Sequence, residues 1–291
     1  MIDQPPHSRT RPLGNLELLR HRGGLARARR RLAEGRLVVG FVGGSITDPR
    51  TGHNWPGPVA AWLVENFPDA RIVVENAAIG ATGSDLAVFR AERDLVARGC
   101  DVVFIEYAVN DRGAPSPRRA RMREGLIRKL LAGEGRDLVL AHTFCQDMWD
   151  EMRAGRVPAS IAEMEALGEH YGIGSVWMGL WALEEVLRGR MRWEEWLPDG
   201  LHPQHRGSAS YAEAVITFLQ AELLGEPRGK PIPAGRDMPP PLDERNWQDA
   251  RAVPLDQIAT EGPWALHRWP YHVWIDQVLA TTAPGARAKF A

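Results

Sequence analysis

Two short stretches carry side chains of complementary acid–base character. The first, Gly43-Gly44-Ser45-Ile46-Thr47, presents a hydroxyl behind a pair of glycines, and the second, Pro198-Asp199-Gly200-Leu201-His202-Pro203, holds a carboxylate three residues before an imidazole. A serine hydroxyl is a weak nucleophile until a base takes its proton during attack. Histidine does this near neutral pH, and a carboxylate orients the ring and stabilises the imidazolium that forms. One turn-rich loop can therefore deliver both partners, Asp199 and His202, to a distant Ser45. Two further stretches could supply what acyl transfer needs next, donors aimed at the oxygen that becomes negative. They are the turn Ala78-Ile79-Gly80-Ala81-Thr82-Gly83, with backbone N–H groups such as that of Gly80, and Tyr107-Ala108-Val109-Asn110-Asp111, with the Asn110 amide.

Competing chemistries can be weighed on the same residues. Gly40-Phe41-Val42-Gly43-Gly44-Ser45 does not supply the G-x-G-x-x-G dinucleotide fingerprint, and no Gly-Lys-Ser/Thr phosphate loop occurs. Asp199, His202 and His205 stand at i, i+3 and i+6, a spacing that could hold a zinc ion, but no other His, Cys or Asp spacing completes the set, so no metal and no cofactor is expected. Lysine occurs only at 129, 230 and 289, never at a strand end, which sets Schiff-base chemistry aside. Taken one at a time, each motif also has a plain reading: a strand–helix turn at Ser45, a turn or N-cap residue at Asn110, an exposed loop histidine at His202.

The elements that would position these residues alternate between strand and helix. Apolar runs at Leu37–Val42, Arg71–Glu75, Asp101–Tyr107, Asp137–His142 and Gly174–Met178 read as buried parallel strands. Between them lie helical patterns at Pro58–Asn66, Ser84–Arg98, Arg118–Leu131 and Ala159–His170, with a last helix from about Gly207 to Leu224. Leucines at near-helical spacing predict an N-terminal helix over 16–34. The resulting fold class is α/β, a five-stranded parallel sheet between two helical layers. Ser45, Gly80 and Asn110 each follow a strand, so all three fall on the carboxyl edge, where open parallel sheets bind ligands.

Four strand-end features in this order resemble the SGNH hydrolases, the GDSL-like esterases and lipases. Ser45 matches the first-block nucleophile, Gly80 the second-block glycine, Asn110 the asparagine of the third block, and Asp199 with His202 the closing D-x-x-H block. The resemblance covers roughly residues 36–224 and implies a flavodoxin-like three-layer fold. It further implies an oxyanion hole built from Ser45 N–H, Gly80 N–H and the Asn110 side chain. The first block reads Gly-Gly-Ser where the family usually has Gly-Asp-Ser, and Ala108 stands where the third block usually has Gly. Neither departure removes a catalytic atom.

Trp55, Trp193 and Trp196 lie near the catalytic blocks in sequence, and flat aromatic faces suit sugar rings. A small-acyl, carbohydrate-directed esterase is the expectation, with His53, Trp55 and Trp196 as substrate-binding residues; the alternatives are a longer-chain lipase or thioesterase or an O-acyltransferase on the same fold, or a non-catalytic binding protein. Its partner would be a small-molecule or oligosaccharide ester. The formal net charge of -1 gives no reason to expect nucleic acid, and the arginines at 27, 29, 30 and 31 read as the solvated face of a helix. No apolar stretch reaches membrane-spanning length, residues 1–12 are polar and proline-rich rather than leader-like, and two cysteines give no disulfide framework; a cytoplasmic location is expected. From Gly225 onward the composition changes: ten of 22 prolines and four of 11 tryptophans lie there, disfavouring helix until about Tyr271–Leu279. The chain is accordingly divided into a hydrolase domain, 1–224, and a Pro/Trp-rich extension, 225–291. The extension is read as an arm packed on its own domain, as a swapped arm joining two copies into a homo-oligomer, or as a wall of the substrate cleft.

Overall fold

The computed structural model describes residues 13–133, 135–226, 229–272 and 275–289. A short strand β1 (Leu19–Arg20) is followed by α1 (Ala26–Ala33), β2 (Arg36–Gly43), α2 (Pro56–Asn66), β3 (Arg71–Asn76), α3 (Ser84–Ala91), β4 (Val102–Glu106) and α4 (Ser116–Leu131). Then come β5 (Asp137–Ala141), α5 (Trp149–Arg153), α6 (Ala159–Tyr171), β6 (Gly174–Val176), α7 (Met178–Leu187), α8 (Trp193–Trp196) and α9 (His205–Leu219). Both α3 and α9 end in a π-helical turn, Glu92–Val96 and Gln220–Leu224.

The central sheet has the order β1-β6-β5-β4-β2-β3, with β2 to β6 parallel to one another. The sheet thus has six strands rather than five, because β1 joins its edge antiparallel to β6. That strand replaces the first part of the expected 16–34 helix. Gly23 and Gly24 break the leucine pattern, since two glycines cost a helix its propensity, and the chain turns before α1 begins. A Cβ at Gly23 would also strike the Gly172 carbonyl region and sit 2.8 Å from Ile232. The central strands β2, β4 and β5 are buried almost throughout, as expected for a sheet covered on both faces.

Among the parallel strands the order is that of a flavodoxin-like sheet. The first strand, β2, lies between the second, β3, and the third, β4, and the direction of winding reverses between β2 and β4. A crevice opens at the carboxyl ends of two strands whose connections leave in opposite directions. The turn bearing Ser45 leaves β2 and the segment bearing Asn110 leaves β4, so both residues border that crevice.

The chain divides into two compact units, Met1–Asp249 and Ala250–Ala291. The first unit takes in residues as far as Asp249, which the sequence places in the extension, and Pro239–Trp247 cross α4. Leu242 and Asp243 N–H donate to the buried Glu124 carboxylate at 2.5 and 2.9 Å, Arg128 donates to the Pro239 carbonyl at 2.8 Å, and Trp247 lies against Gly125, where a Cβ would meet its backbone at 2.5 Å. The second unit holds β7 (Ala259–Glu261), β8 (Ala265–His272), β9 (Ile275–Ala280) and β10 (Arg287–Lys289), paired antiparallel as β8–β9 and β7–β10. The stretch expected to regain helix near 271–279 is therefore strand wherever it is described, consistent with its Val, Ile and Trp content. Among the described residues no helix is long and apolar enough to cross a membrane.

Candidate active site

Ser45 Oγ lies 2.9 Å from His202 Nε2, and His202 Nδ1 lies 2.7 Å from Asp199 Oδ2. Residues 157 positions apart are thus joined in one hydrogen-bonded line. The closing loop is built for this. Asp199 Oδ1 accepts from the backbone N–H groups of Leu201 and His202 at 2.9 and 2.7 Å, forming a tight side-chain turn that leaves Oδ2 for the ring. Gly200 adopts a left-handed backbone, φ 76°, and its carbonyl accepts from Gln146 N–H at 2.8 Å, tying the loop to the segment after β5. Burial alone would raise the Asp199 carboxyl, but the donors of His202 and Leu201 outweigh it and hold the group at about 2, so it stays an anion across the range in which histidine titrates.

The two glycines before the serine leave room for groups arriving from β4. A Cβ on Gly44 would meet the Asn110 side chain, with Cγ at 2.6 Å and Nδ2 at 2.7 Å. A Cβ on Gly43 would lie 2.8 Å from both Glu106 Oε2 and Thr47 Oγ1. The Gly-Gly pair is therefore a steric requirement of this site. The Asn110 loop is anchored from below: buried Asp111 accepts from Ser84 N–H at 2.9 Å, Ser84 Oγ at 2.8 Å and Arg123 Nε at 2.7 Å. Arg123, fully buried, also donates to the Tyr107 carbonyl at 3.1 Å and to Ser160.

Gly80 lies beside the serine, since a Cβ there would stand 3.6 Å from Ser45 Cβ. Its N–H, however, donates to Asp48 Oδ2 at 2.9 Å. Asp48 also binds the Arg50 guanidinium and the Arg50 N–H. Burial pushes its carboxyl up, and these donors together bring it below the usual range. Among the described residues neither Ser45 N–H nor the Asn110 amide has a hydrogen-bond partner, so these two donors are open to a ligand while the third is engaged. Next to Gly80, Ala81 takes a left-handed backbone, φ 60°, among described non-glycine residues the single case. Such a conformation costs energy in a residue with a Cβ, and strain of this kind gathers at functional turns.

Two residues expected to bind substrate sit elsewhere. Trp55 is fully buried: its ring packs edge-on to Phe41 and Phe104, and its Nε1 donates to Thr47 Oγ1 at 3.0 Å. Trp196 is also fully buried, between Phe144 and Trp193, with Gly207 of α9 lying on its ring. Neither face can meet a sugar. A large apolar ring is more stable in the core by several kcal/mol, roughly 25 cal/mol per Å² covered, than exposed at a rim. Trp196 instead supports the histidine loop, its carbonyl accepting from Gln204 N–H at 2.8 Å. His53 is half-buried in the segment after the nucleophile turn. Sequence reasoning missed Asp48, Thr47, Glu106 and Arg123. Only Asp48 and Thr47 carry a local signal, as polar residues next to the nucleophile. Burial pushes the Glu106 carboxyl up to about 7 against the lowering pull of donors from Thr143, Thr47 and Gly44. Among the described residues no three His, Cys, Asp or Glu side chains gather as a metal site.

A three-layer α/β/α fold with a serine, an imidazole and a carboxylate aligned at the sheet's switch point defines a class of hydrolases. The GDSL-like lipase/acylhydrolase family matches residues 41–209, more than half of the chain, and the chain belongs to that family. Among solved structures it is similar to a two-domain esterase (CEX) active on acetylated mannans, at 27% identity and a TM-score of 0.71 over 87% of this chain and 67% of that one. The same esterase co-crystallised with mannopentaose gives 26% and 0.66, over 88% and 66%. The chain thus spans about two thirds of that protein's length. A variant of Axe2, an acetyl xylan esterase from Geobacillus stearothermophilus, shares the fold at 20% identity and a TM-score of 0.54, over 63% of this chain and 94% of that one. No curated protein matches.

Proposed function

We propose that this protein is a serine esterase that removes small acyl groups, acetyl in particular, from carbohydrates. The observation that carries the chemistry is the line Ser45 Oγ, His202 Nε2, His202 Nδ1, Asp199 Oδ2, with spacings of 2.9 and 2.7 Å. Membership of the acylhydrolase family and the likeness to an esterase active on acetylated mannans support the ester and the sugar.

In this reading His202 takes the Ser45 proton as Oγ attacks the ester carbonyl. The negative oxygen of the tetrahedral intermediate is held by Ser45 N–H and the Asn110 amide. Gly80 N–H serves as a third donor only when it turns from Asp48. His202 then gives its proton to the departing sugar oxygen, leaving an acyl-enzyme on Ser45. Water, deprotonated by the same ring, attacks the acyl carbon, and His202 returns that proton to Ser45 Oγ as the acyl–oxygen bond breaks and the acid leaves. Of the three residues expected to bind substrate, His53, half-buried eight positions after Ser45, is the one left as a candidate for contact with the sugar.

The test has two parts. The protein should hydrolyse p-nitrophenyl acetate and release acetate from acetylated manno- or xylo-oligosaccharides, and a fluorophosphonate should attach to the peptide holding Ser45. Full activity in Ser45→Ala would refute the mechanism. A preference for acyl chains of eight or more carbons would refute the acetyl assignment alone.

A further inference from the structure

Behind the nucleophile turn lies a carboxylate that none of these steps uses. Glu106 ends β4 and is fully buried. Its Oε2 accepts from Thr47 Oγ1 at 3.0 Å and from Gly44 N–H at 3.3 Å, and its Oε1 accepts from Thr143 Oγ1 at 2.7 Å. Thr47 Oγ1 in turn accepts from Trp55 Nε1 at 3.0 Å. Gly44 precedes Ser45 and Thr47 follows it by two, so the carboxylate grips the turn on both sides of the nucleophile. The strand register sets Gly43 directly opposite Glu106, and the missing Cβ of Gly43 is the space its carboxylate fills.

A buried carboxylate is a poor way to stabilise a fold, because desolvation offsets most of what its partners return, and an apolar side chain of like volume would serve as well. Two consecutive glycines, on the other hand, leave a turn with wide backbone freedom. Hydrogen bonds that reach across it from a rigid central strand remove that freedom. We propose that Glu106 is a positioning residue for the ester hydrolysis: it holds the Gly44–Thr47 turn so that Ser45 Oγ and Ser45 N–H face the crevice together. The role rests on the function proposed above and adds to it a residue outside the aligned three.

The experiment compares wild type with Glu106→Leu, Glu106→Gln, Thr47→Val and Ser45→Ala in the full chain, on p-nitrophenyl acetate, with folding followed by circular dichroism. A misplaced nucleophile lowers turnover rather than ground-state binding, by up to about a hundredfold per ångström of displacement. Glu106→Leu should therefore lose about ten- to a hundredfold in kcat with KM within about twofold, and Thr47→Val a smaller part of kcat. Glu106→Gln keeps an acceptor for Thr47 and Gly44 and should return to within about threefold of wild type. A Glu106→Leu protein that is less stable yet keeps wild-type kcat would overturn the proposal, as would equal losses in the Leu and Gln variants. If Glu106→Leu does not fold, wild-type kcat in Thr47→Val overturns it instead. The Ser45→Ala control separates the two levels: activity retained there refutes the serine mechanism itself, whereas activity lost there together with wild-type kcat in the Glu106 variants refutes only the positioning role.

Discussion

At the scale of single residues, the site divides into groups left open and groups already engaged. Ser45 N–H and the Asn110 amide have no hydrogen-bond partner among the described residues, whereas Gly80 N–H is bound to Asp48 at 2.9 Å. Asn110 should then carry much of the stabilisation of the developing oxyanion. Asn110→Ala is expected to lower kcat on p-nitrophenyl acetate about a hundred- to a thousandfold, with the fold unchanged, the usual result of removing one such donor; a loss below about fivefold would contradict this. Glu106 gives a pH prediction of stability. Burial raises its carboxyl from 4.5 to about 7, helped by the nearby charge of Asp111. Between those values the folded chain keeps a proton that the unfolded chain has released, so stability falls as pH rises through that window and levels off above it. Asp137, also raised to about 7 by burial, acts in the same direction, so the comparison must isolate Glu106. The stability of Glu106→Gln relative to wild type should improve by about 3 kcal/mol from about pH 4 to about pH 8, read by urea denaturation. A difference that does not vary with pH would rule the shift out.

Elements bring these residues to one place through topology. The Ser45 turn and the Asn110 segment leave neighbouring strands β2 and β4, and the histidine loop reaches them from the start of α9. Helix α4 contributes a single residue, Arg123, that joins Asp111, the Tyr107 carbonyl and Ser160. Arg123→Met would leave Asp111 buried without its charge partner. Breaking a buried pair in this way costs about 3–5 kcal/mol, and because Asp111 adjoins Asn110 the activity should fall as well. Chemical denaturation together with the acetate assay checks both effects; wild-type stability in the variant would show that the pair is not needed.

For the whole molecule, every residue assigned a chemical role lies in the unit ending at Asp249. The unit Ala250–Ala291 has no buried residue among those described, and paired strands without a core are marginal by themselves. A chain ending after Asp249 should keep acetate-ester hydrolysis within a few-fold. One ending after Leu224 should not be so tolerant, because it strips Leu242 and Asp243 from the buried Glu124 carboxylate and Pro239 from Arg128. Its melting temperature should drop by several degrees; equal melting temperatures for the two truncations would contradict a stabilising role for the segment that crosses α4.

Much of this was legible in the residues alone. Alternating apolar runs defined the five parallel strands to within a residue or two, and the strand-end positions of Ser45, Gly80 and Asn110 followed from them, because local periodicity is set by neighbours in the chain. The Asp199–His202 pairing is likewise local, a turn closed by its own backbone. Burial across the sheet is not local, and there sequence reasoning went astray. Trp55 and Trp196 stand near the catalytic blocks in number but point into the core, and Leu19, from the leucine pattern before Gly23, pairs with β6 instead of coiling. Glu106 and Arg123 give no sign in the sequence, since a carboxylate in a strand and an arginine in a basic helix acquire meaning only from the groups that a distant part of the chain lays against them.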